Sequence, residues 1–309
     1  NTDGINPESC RNVHIANCHM DVGDDCVTIK SGTEHDRGRL SPCENITITN
    51  CTMVHGHGGV VIGSEMSGDV RHVVISNCVF MGTDRGIRLK SRRERGGVVE
   101  DIRVTNVVMK DVLCPFIMNL YYGCGAWGAD RISDKTPWPV NEGTPRFRRI
   151  HFSDITAREV QYAAAFIYGL PEMFVEDVSF SDVAVSMALD AEAGDPAMAP
   201  DMAPMQRAGF FACNARGLRF HNVEVTDQLG PALILTDVAD VDISDCTTHT
   251  PAADAPVIHM KDVDGAFVHG CRASAGTGAF LRLEGEETDG IVLKGTYLAR
   301  AGQPVSLAE

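Results

Sequence analysis

The chain has 309 residues, of which 44% are hydrophobic and 22% charged, and a formal net charge of −15; these are globular values, enough for one large domain or two ordinary ones. So acidic a balance argues against nucleic acid as the main partner, because phosphate binding needs a basic face. With no apolar run of about 18 residues, no membrane-spanning segment is expected either.

The chain opens at Asn1, without a methionine, and a motif, Asn1-Thr2-Asp3-Gly4, starts at that residue. We therefore expect a C-terminal portion of a longer chain. A short alternating segment ending in Asn and Cys follows at 12–18, and a second apolar run at 26–30 comes just after Gly23-Asp24-Asp25-Cys26. The same pair of segments returns at 45–51 and 59–63, with Gly56-His57-Gly58 between them. It returns again at 72–78 and 86–90, where the second segment ends in Arg88-Leu89-Lys90. Further copies lie at 101–107, 149–155, 177–183, 218–223 and 241–246, with degenerate ones at 265–271 and 290–295.

The repeat recurs at about 23 to 33 residues with two longer gaps, and its segments have period two and no helical periodicity. Leucine-rich repeats and propeller blades carry other signatures. The spacing predicts an all-β, single-domain parallel β-helix over 1–309, each coil adding strands to stacked sheets. The recurring Asn is expected to form a ladder at a turn, its amide bonding to the coils above and below. Two stretches break the period, near 123–146 (Gly, Pro, Asp, Trp) and 187–207 (Ala, Met, Asp, Pro), and read as loops leaving the coil.

Eleven cysteines, an odd number with no CxxC pair, argue against a zinc site. Cys18, Cys51, Cys78 and Cys246 each follow Asn or Asp at one repeat position, which suggests a column of small buried side chains rather than disulfides. Free thiols favour a reducing compartment, and so a cytoplasmic location over a secreted one.

Equivalent positions in successive coils stack about 4.8 Å apart. Stacking therefore gathers Asp3, Asp24 and Asp25, with His57, Arg88 and Lys90 alongside. Neighbours in a strand point to opposite faces, so Asp24 and Asp25 both reach one site only if the chain bends at Gly23. Three such carboxylates repel one another, and one is expected to hold a proton near neutral pH: a general acid beside carboxylates that polarise water, the equipment for glycoside hydrolysis. Asp-Asp alone would equally suit an acidic turn or a calcium site. Arg88 and Lys90 share a face and together suit an anion such as a sugar carboxylate; paired with acids they would be an ion network. The neighbouring Arg92, Arg93 and Arg95 read as a solvated basic loop.

The set NTDG, GDDC, GHG and Arg-apolar-Lys, in this order over residues 1 to 91, resembles the polygalacturonases of glycoside hydrolase family 28, in a bacterial-type version. Leu89 stands where that family usually has Ile. The resemblance implies a right-handed β-helix of the pectin-lyase-like kind and inverting hydrolysis of α-1,4-galacturonide bonds in polygalacturonate or oligogalacturonides. It implies Asp24 as the proton donor, Asp3 and Asp25 as holders of the attacking water, and His57 as support for the cluster and the substrate. Arg88 and Lys90 would grip a galacturonate carboxylate, and Tyr121 or Tyr122 would stack on the sugar. Neither metal nor cofactor is implied. The segment Gly63-Ser64-Glu65-Met66-Ser67-Gly68 resembles bacterial members that act as exo enzymes. The alternatives are a rhamnogalacturonan hydrolase of the same family, a pectate-lyase-type enzyme with calcium and a basic catalyst, and a β-helix that only binds polysaccharide. The presence of His57, Arg88 and Lys90 favours galacturonate.

Overall fold

Alternating apolar residues give each segment one face to bury, and a chain that repeats such segments buries them by coiling. The computed structural model describes residues 2–308 and is a right-handed parallel β-helix. Every strand-to-strand ladder is parallel. One sheet runs from Arg11–Ala16 through Cys43–Thr49, Val70–Met81, Val98–Lys110 and Arg146–Val160 to Val175–Met187. A second stacks Asp25–Ile29 on Gly58–Gly63, then Arg85–Lys90, Cys114–Asn119 and Ala163–Tyr168, and continues into Ala208–Thr226. A third begins with His19–Asp21 and Thr52–Val54, which stacks on the C-terminal half of Val70–Met81.

The first sheet alternates as expected: Val99, Ile102, Val104, Val107 and Met109 turn inward while Arg103 and Val108 face out. Inside the coil the rings of Phe152, Phe180 and Phe220 stack at 4.9 and 5.5 Å. The second sheet behaves differently. Asp25–Ile29, Gly58–Gly63, Arg85–Lys90 and Cys114–Asn119 are buried at every position. A strand buried throughout has both faces covered, here by the core inside and by loops outside.

The corners are made by Asn and Asp in the left-handed region, where their short polar side chains are tolerated. They come in pairs, Asn12 with Asn17, Asn45 with Asn50, and Asp177 with Asp182. Side-chain amides link successive coils: Asn45 Nδ2 donates to Asn12 Oδ1 at 3.1 Å, and Asn106 Nδ2 to Asn77 Oδ1 at 2.7 Å. All eleven cysteines are free; Cys51, Cys78 and Cys246 are buried as anticipated, and Cys18 is half-buried.

The basic run departs from the sequence reading. Arg92, Arg93 and Arg95 are buried, not solvated. Arg93 forms a fork with Glu172 at 2.6 and 2.9 Å and also donates to the carbonyls of Asp134 and Thr136. Arg95 pairs with Glu34 and Glu65, and Arg92 donates to the carbonyl of Cys124 at 3.1 Å. Their partners lie up to about 80 residues away in sequence (Arg93 to Glu172, for one), so the local charge run gave no sign of them. These bonds fasten the first long loop, which carries the short helix Asp130–Ser133, over the second sheet. The other loop is fastened by Arg85, which donates to the carbonyls of Asp195 and Pro196, and by Asn119 Nδ2 on the carbonyl of Ala197.

Candidate active site

The site lies on the outer face of the second sheet, at its N-terminal end. Asn1, the first residue of the NTDG motif, lies outside the described residues. From Thr2 onward the motif stacks on the next coil: Asp24 N donates to Thr2 O, Gly4 N to Asp25 O and Ile5 N to Cys26 O. Gly4 is required by this close approach, since a Cβ there would sit 2.5 Å from the carbonyl oxygen of Cys26. Residues 23 and 24 form the expected bend, and the strand starts at Asp25. Both aspartates therefore reach the same side, and carboxylate oxygens of Asp3, Asp24 and Asp25 lie within 4.8 Å of one another.

Cations interleave with the acids more closely than the sequence reading assumed. Lys90 Nζ donates to Asp25 Oδ2 at 2.9 Å, and Arg88 Nη1 lies 3.8 Å from Asp25 Oδ1, all three side chains being at most 10% exposed. Arg88 and Lys90 are thus already engaged with an acid of the cluster. Arg88 nonetheless keeps Nε and Nη2 buried without a hydrogen-bond partner, and an ammonium with one bond made has two donors left. Burial first, and then the adjacent guanidinium of Arg88, push the Lys90 ammonium below its ordinary value, against the pull of Asp25. Asp3 accepts from Asn6 Nδ2 at 3.0 Å and lies 3.8 Å from Lys30 Nζ. Asp24 alone of the three has no ion-pair partner among the described residues; its Oδ1 accepts from the backbone N–H of Asp25 at 2.9 Å.

The aspartates open onto two adjoining cavities that share Asp24, Lys90, Tyr122 and Cys124. The first, about 430 Å³, adds Asp3, Asp25, Lys30, Glu65, Arg92 and Arg95 to the wall. The second, about 360 Å³, adds His57, Asp84, Arg85, Arg88 and Met198. In the second, Arg85, Arg88 and Lys90 face Asp24 and Asp84, with Asp25 behind Lys90 and Arg88 as a third carboxylate. His57 sits beside Asp24, its backbone N–H donating to the Asp24 carbonyl at 2.9 Å. Gly56 makes this possible: its φ is +78°, and a Cβ would lie 2.3 Å from the same carbonyl oxygen.

Of the two candidate tyrosines, only Tyr122 lines the cleft, its ring 5.4 Å from the Arg88 guanidinium and 5.2 Å from Lys90 Nζ. Tyr121 is a correction. It is 1% exposed and turned into the body of the protein, packed on Tyr168 with Lys135 Nζ 3.7 Å above its ring. Both tyrosines follow the end of Cys114–Asn119, where the chain bends and turns the first inward and the second to the cleft.

Residues 1–192 match the glycosyl hydrolases family 28. The chain belongs to this family. Its relatives include a probable polygalacturonase of Vitis vinifera, 35% identical over 62% of this chain and 38% of the relative. An endo-polygalacturonase of Pectobacterium carotovorum subsp. carotovorum is 41% identical over 40% of this chain and 29% of its own length. Among solved structures, an exopolygalacturonase from Thermotoga maritima superposes with a TM-score of 0.58 at 31% identity, covering 72% of this chain and 44% of that one. The chain thus spans less than half the length of each of these relatives.

Several cleft residues of this family 28 chain escaped the sequence reading. Lys30 stands five positions after Asp25, an odd number that period two alone would put on the other face, so the alternation gave no sign of it. Asp84, Glu65 and Met198 gave none either, because only the stacking of coils and the docking of residues 188–207 bring them to the cleft.

Proposed function

We propose that this protein hydrolyses α-1,4-galacturonide bonds of polygalacturonate or oligogalacturonides, with the scissile bond over Asp24, where the two cavities meet. The observation that carries the proposal is the convergence of Asp3, Asp24 and Asp25 within 4.8 Å, on a cleft whose second cavity is lined by Arg88. The polygalacturonases among its relatives support the substrate class, and the exopolygalacturonase among them supports exo action.

Asp24, which has no cation at hand, is the general acid that protonates the leaving oxygen. Asp25 and Asp3, whose charges are offset by Lys90, Arg88 and Lys30, accept hydrogen bonds from the attacking water and take its proton. Arg88 lines the second cavity, and a guanidinium is the group that pairs with a carboxylate through two bonds, so Arg88 serves the uronate group. His57 supports the sugar beside Asp24, and the Tyr122 ring covers it. The carboxylates stand closer than the roughly 6.5–9.5 Å usual in inverting enzymes, but the family that the chain resembles inverts at such closer spacing, so the separation does not speak for retention.

The test is Asp24→Asn against the parent. The variant is expected to fold and to release less than about a thousandth of the parent's reducing sugar, general acid catalysis together with correct placement being at stake. Equal release by the two proteins would refute the assignment. Proton NMR of the first product resolves the stereochemistry: a β-anomer from the α-linked chain means inversion. Monomer or dimer alone from the first minutes means exo action, and a new ultraviolet absorbance from a double bond would mean a lyase instead.

A further inference from the structure

His57 is held by an acid from the next coil. Its Nδ1 lies 2.6 Å from Asp84 Oδ2, and the backbone of Asp84 is tied to the same turn through Asp84 N donating to Gly56 O at 2.8 Å. A carboxylate accepts and an imidazole N–H donates, so this contact places the proton of a neutral His57 on Nδ1 and leaves Nε2 as an acceptor. Asp84 is itself held. Arg85 Nη1 lies 3.3 Å from the same Oδ2, and the Arg85 guanidinium donates to the carbonyls of Asp195 at 2.7 Å and Pro196 at 2.9 Å. Arg85 is only 9% exposed. The result is a continuous line from the loop at 188–207 through Arg85 and Asp84 to His57, ending beside Asp24.

We propose that Asp84 is a positioning residue that fixes the tautomer and ring orientation of His57. The inference rests on the reading of His57 as part of a glycosidase cleft. A histidine that accepts at Nε2 can take a hydrogen bond from a sugar hydroxyl. With the other tautomer it would present a donor instead, to a cavity that already holds the donors of Arg85, Arg88 and Lys90. The second loop has a part in this: by closing on Arg85 it keeps Asp84 from turning outward, where a side chain one-third exposed would otherwise be free to go. An acid orienting an imidazole is a general device, and its removal costs rate chiefly through misplacement.

The experiment compares Asp84→Asn, Asp84→Glu, His57→Gln and the double variant Asp84→Asn/His57→Gln on polygalacturonate, together with nitrogen NMR of ¹⁵N-histidine-labelled protein without substrate. Asp84→Asn is expected to lower kcat roughly 10- to 100-fold with little change in KM, and Asp84→Glu to recover part of the loss. In the His57→Gln background the Asp84→Asn change is expected to cost less than about threefold, because residues acting as a unit are not additive. The neutral parent protein should show His57 protonated at Nδ1, and Asp84→Asn should show a mixture of tautomers. An undiminished kcat in Asp84→Asn, or the same loss with and without His57, would overturn the proposal. So would a parent His57 protonated at Nε2, a result that needs no variant to fold. A parent without galacturonide hydrolysis would sink the proposed reaction, while the NMR measurement would still decide the tautomer.

Discussion

Lys90→Met probes a buried, hydrogen-bonded charge pair of the site. The Asp25 and Lys90 side chains are 3% and 10% exposed and meet at 2.9 Å. Removing one partner of such a pair leaves a buried charge and costs about 3–5 kcal/mol. Arg88, 3.8 Å from the other oxygen of Asp25, remains to offset part of that charge, which places the cost near the lower end, about 3 kcal/mol. Unfolding entropy of about 2.1 cal/mol/K per residue over 309 residues gives about 0.65 kcal/mol/K, so the melting midpoint should fall by about 5 °C. Differential scanning calorimetry reads this directly. The double variant Asp25→Asn/Lys90→Met removes both charges but leaves the buried guanidinium of Arg88 without its carboxylate, so it should recover little of the midpoint and remain inactive, since the proposed water-activating carboxylate is gone. A Lys90→Met protein that melts with the parent would refute the reasoning and would mean that Asp25 does not depend on the ammonium.

The corner ladder gives a second prediction. Asn45, at φ 60°, donates to Asn12 and pairs with His72. Asn45→Ala should lose about 2 kcal/mol in urea unfolding, and Asn45→Gly, which tolerates the left-handed backbone, about half as much; a glycine variant as stable as the parent would dismiss the ladder, and an alanine variant as stable as the glycine one would dismiss the backbone term. A third concerns acid. The Thr136 hydroxyl first, then the Trp138 indole, hold the Asp134 carboxyl down at about 2. At Glu34 and Glu65 the upward push of burial is outweighed by their own backbone N–H groups and by cations, Arg95 and Arg92 for one, Lys30 and Arg95 for the other. Their values are lower folded than unfolded, so their stabilisation is complete above the ordinary carboxylate range, about pH 4, and is lost as pH falls through the folded values. The melting midpoint should therefore drop between about pH 4 and pH 2, more shallowly in Glu34→Gln; identical slopes would refute this account.

What the sequence disclosed was what the coil repeats. Asp3, Asp24, Asp25, His57, Arg88 and Lys90 each stand at a fixed place in a repeating unit, so stacking alone placed them together. The same regularity exposed the Asn corners and the cysteine column. What stayed hidden depended on non-repeating contacts. Arg93 looked like part of a solvated run because Glu172, its partner, lies beyond the first long loop. The loops read as excursions because nothing in their composition announces that Arg85 and Asn119 will hold the backbone of residues 195–197. The choice between Tyr121 and Tyr122 turned on which neighbour faces outward, and a strand end followed by a bend leaves that open until the backbone is traced.

This division between repeating frame and docked loops has a physical consequence for how such a site varies. The spacing of the three aspartates is set by backbone ladders such as Asp25 to Gly58 and Ile5 to Val27, which cannot shift without breaking a row of hydrogen bonds and turning buried side chains to water. The walls obey no such rule. Cys124 and Met198 reach the cleft from the two inserted loops, while Arg92 lies in the turn that ends Arg85–Lys90, and each wall segment is held by a few side-chain bonds. Insertions in surface loops cost little, whereas a displaced rung costs the core. On the proposed reading, the frame fixes the geometry at Asp24 and the loops set how much room lies on either side of it.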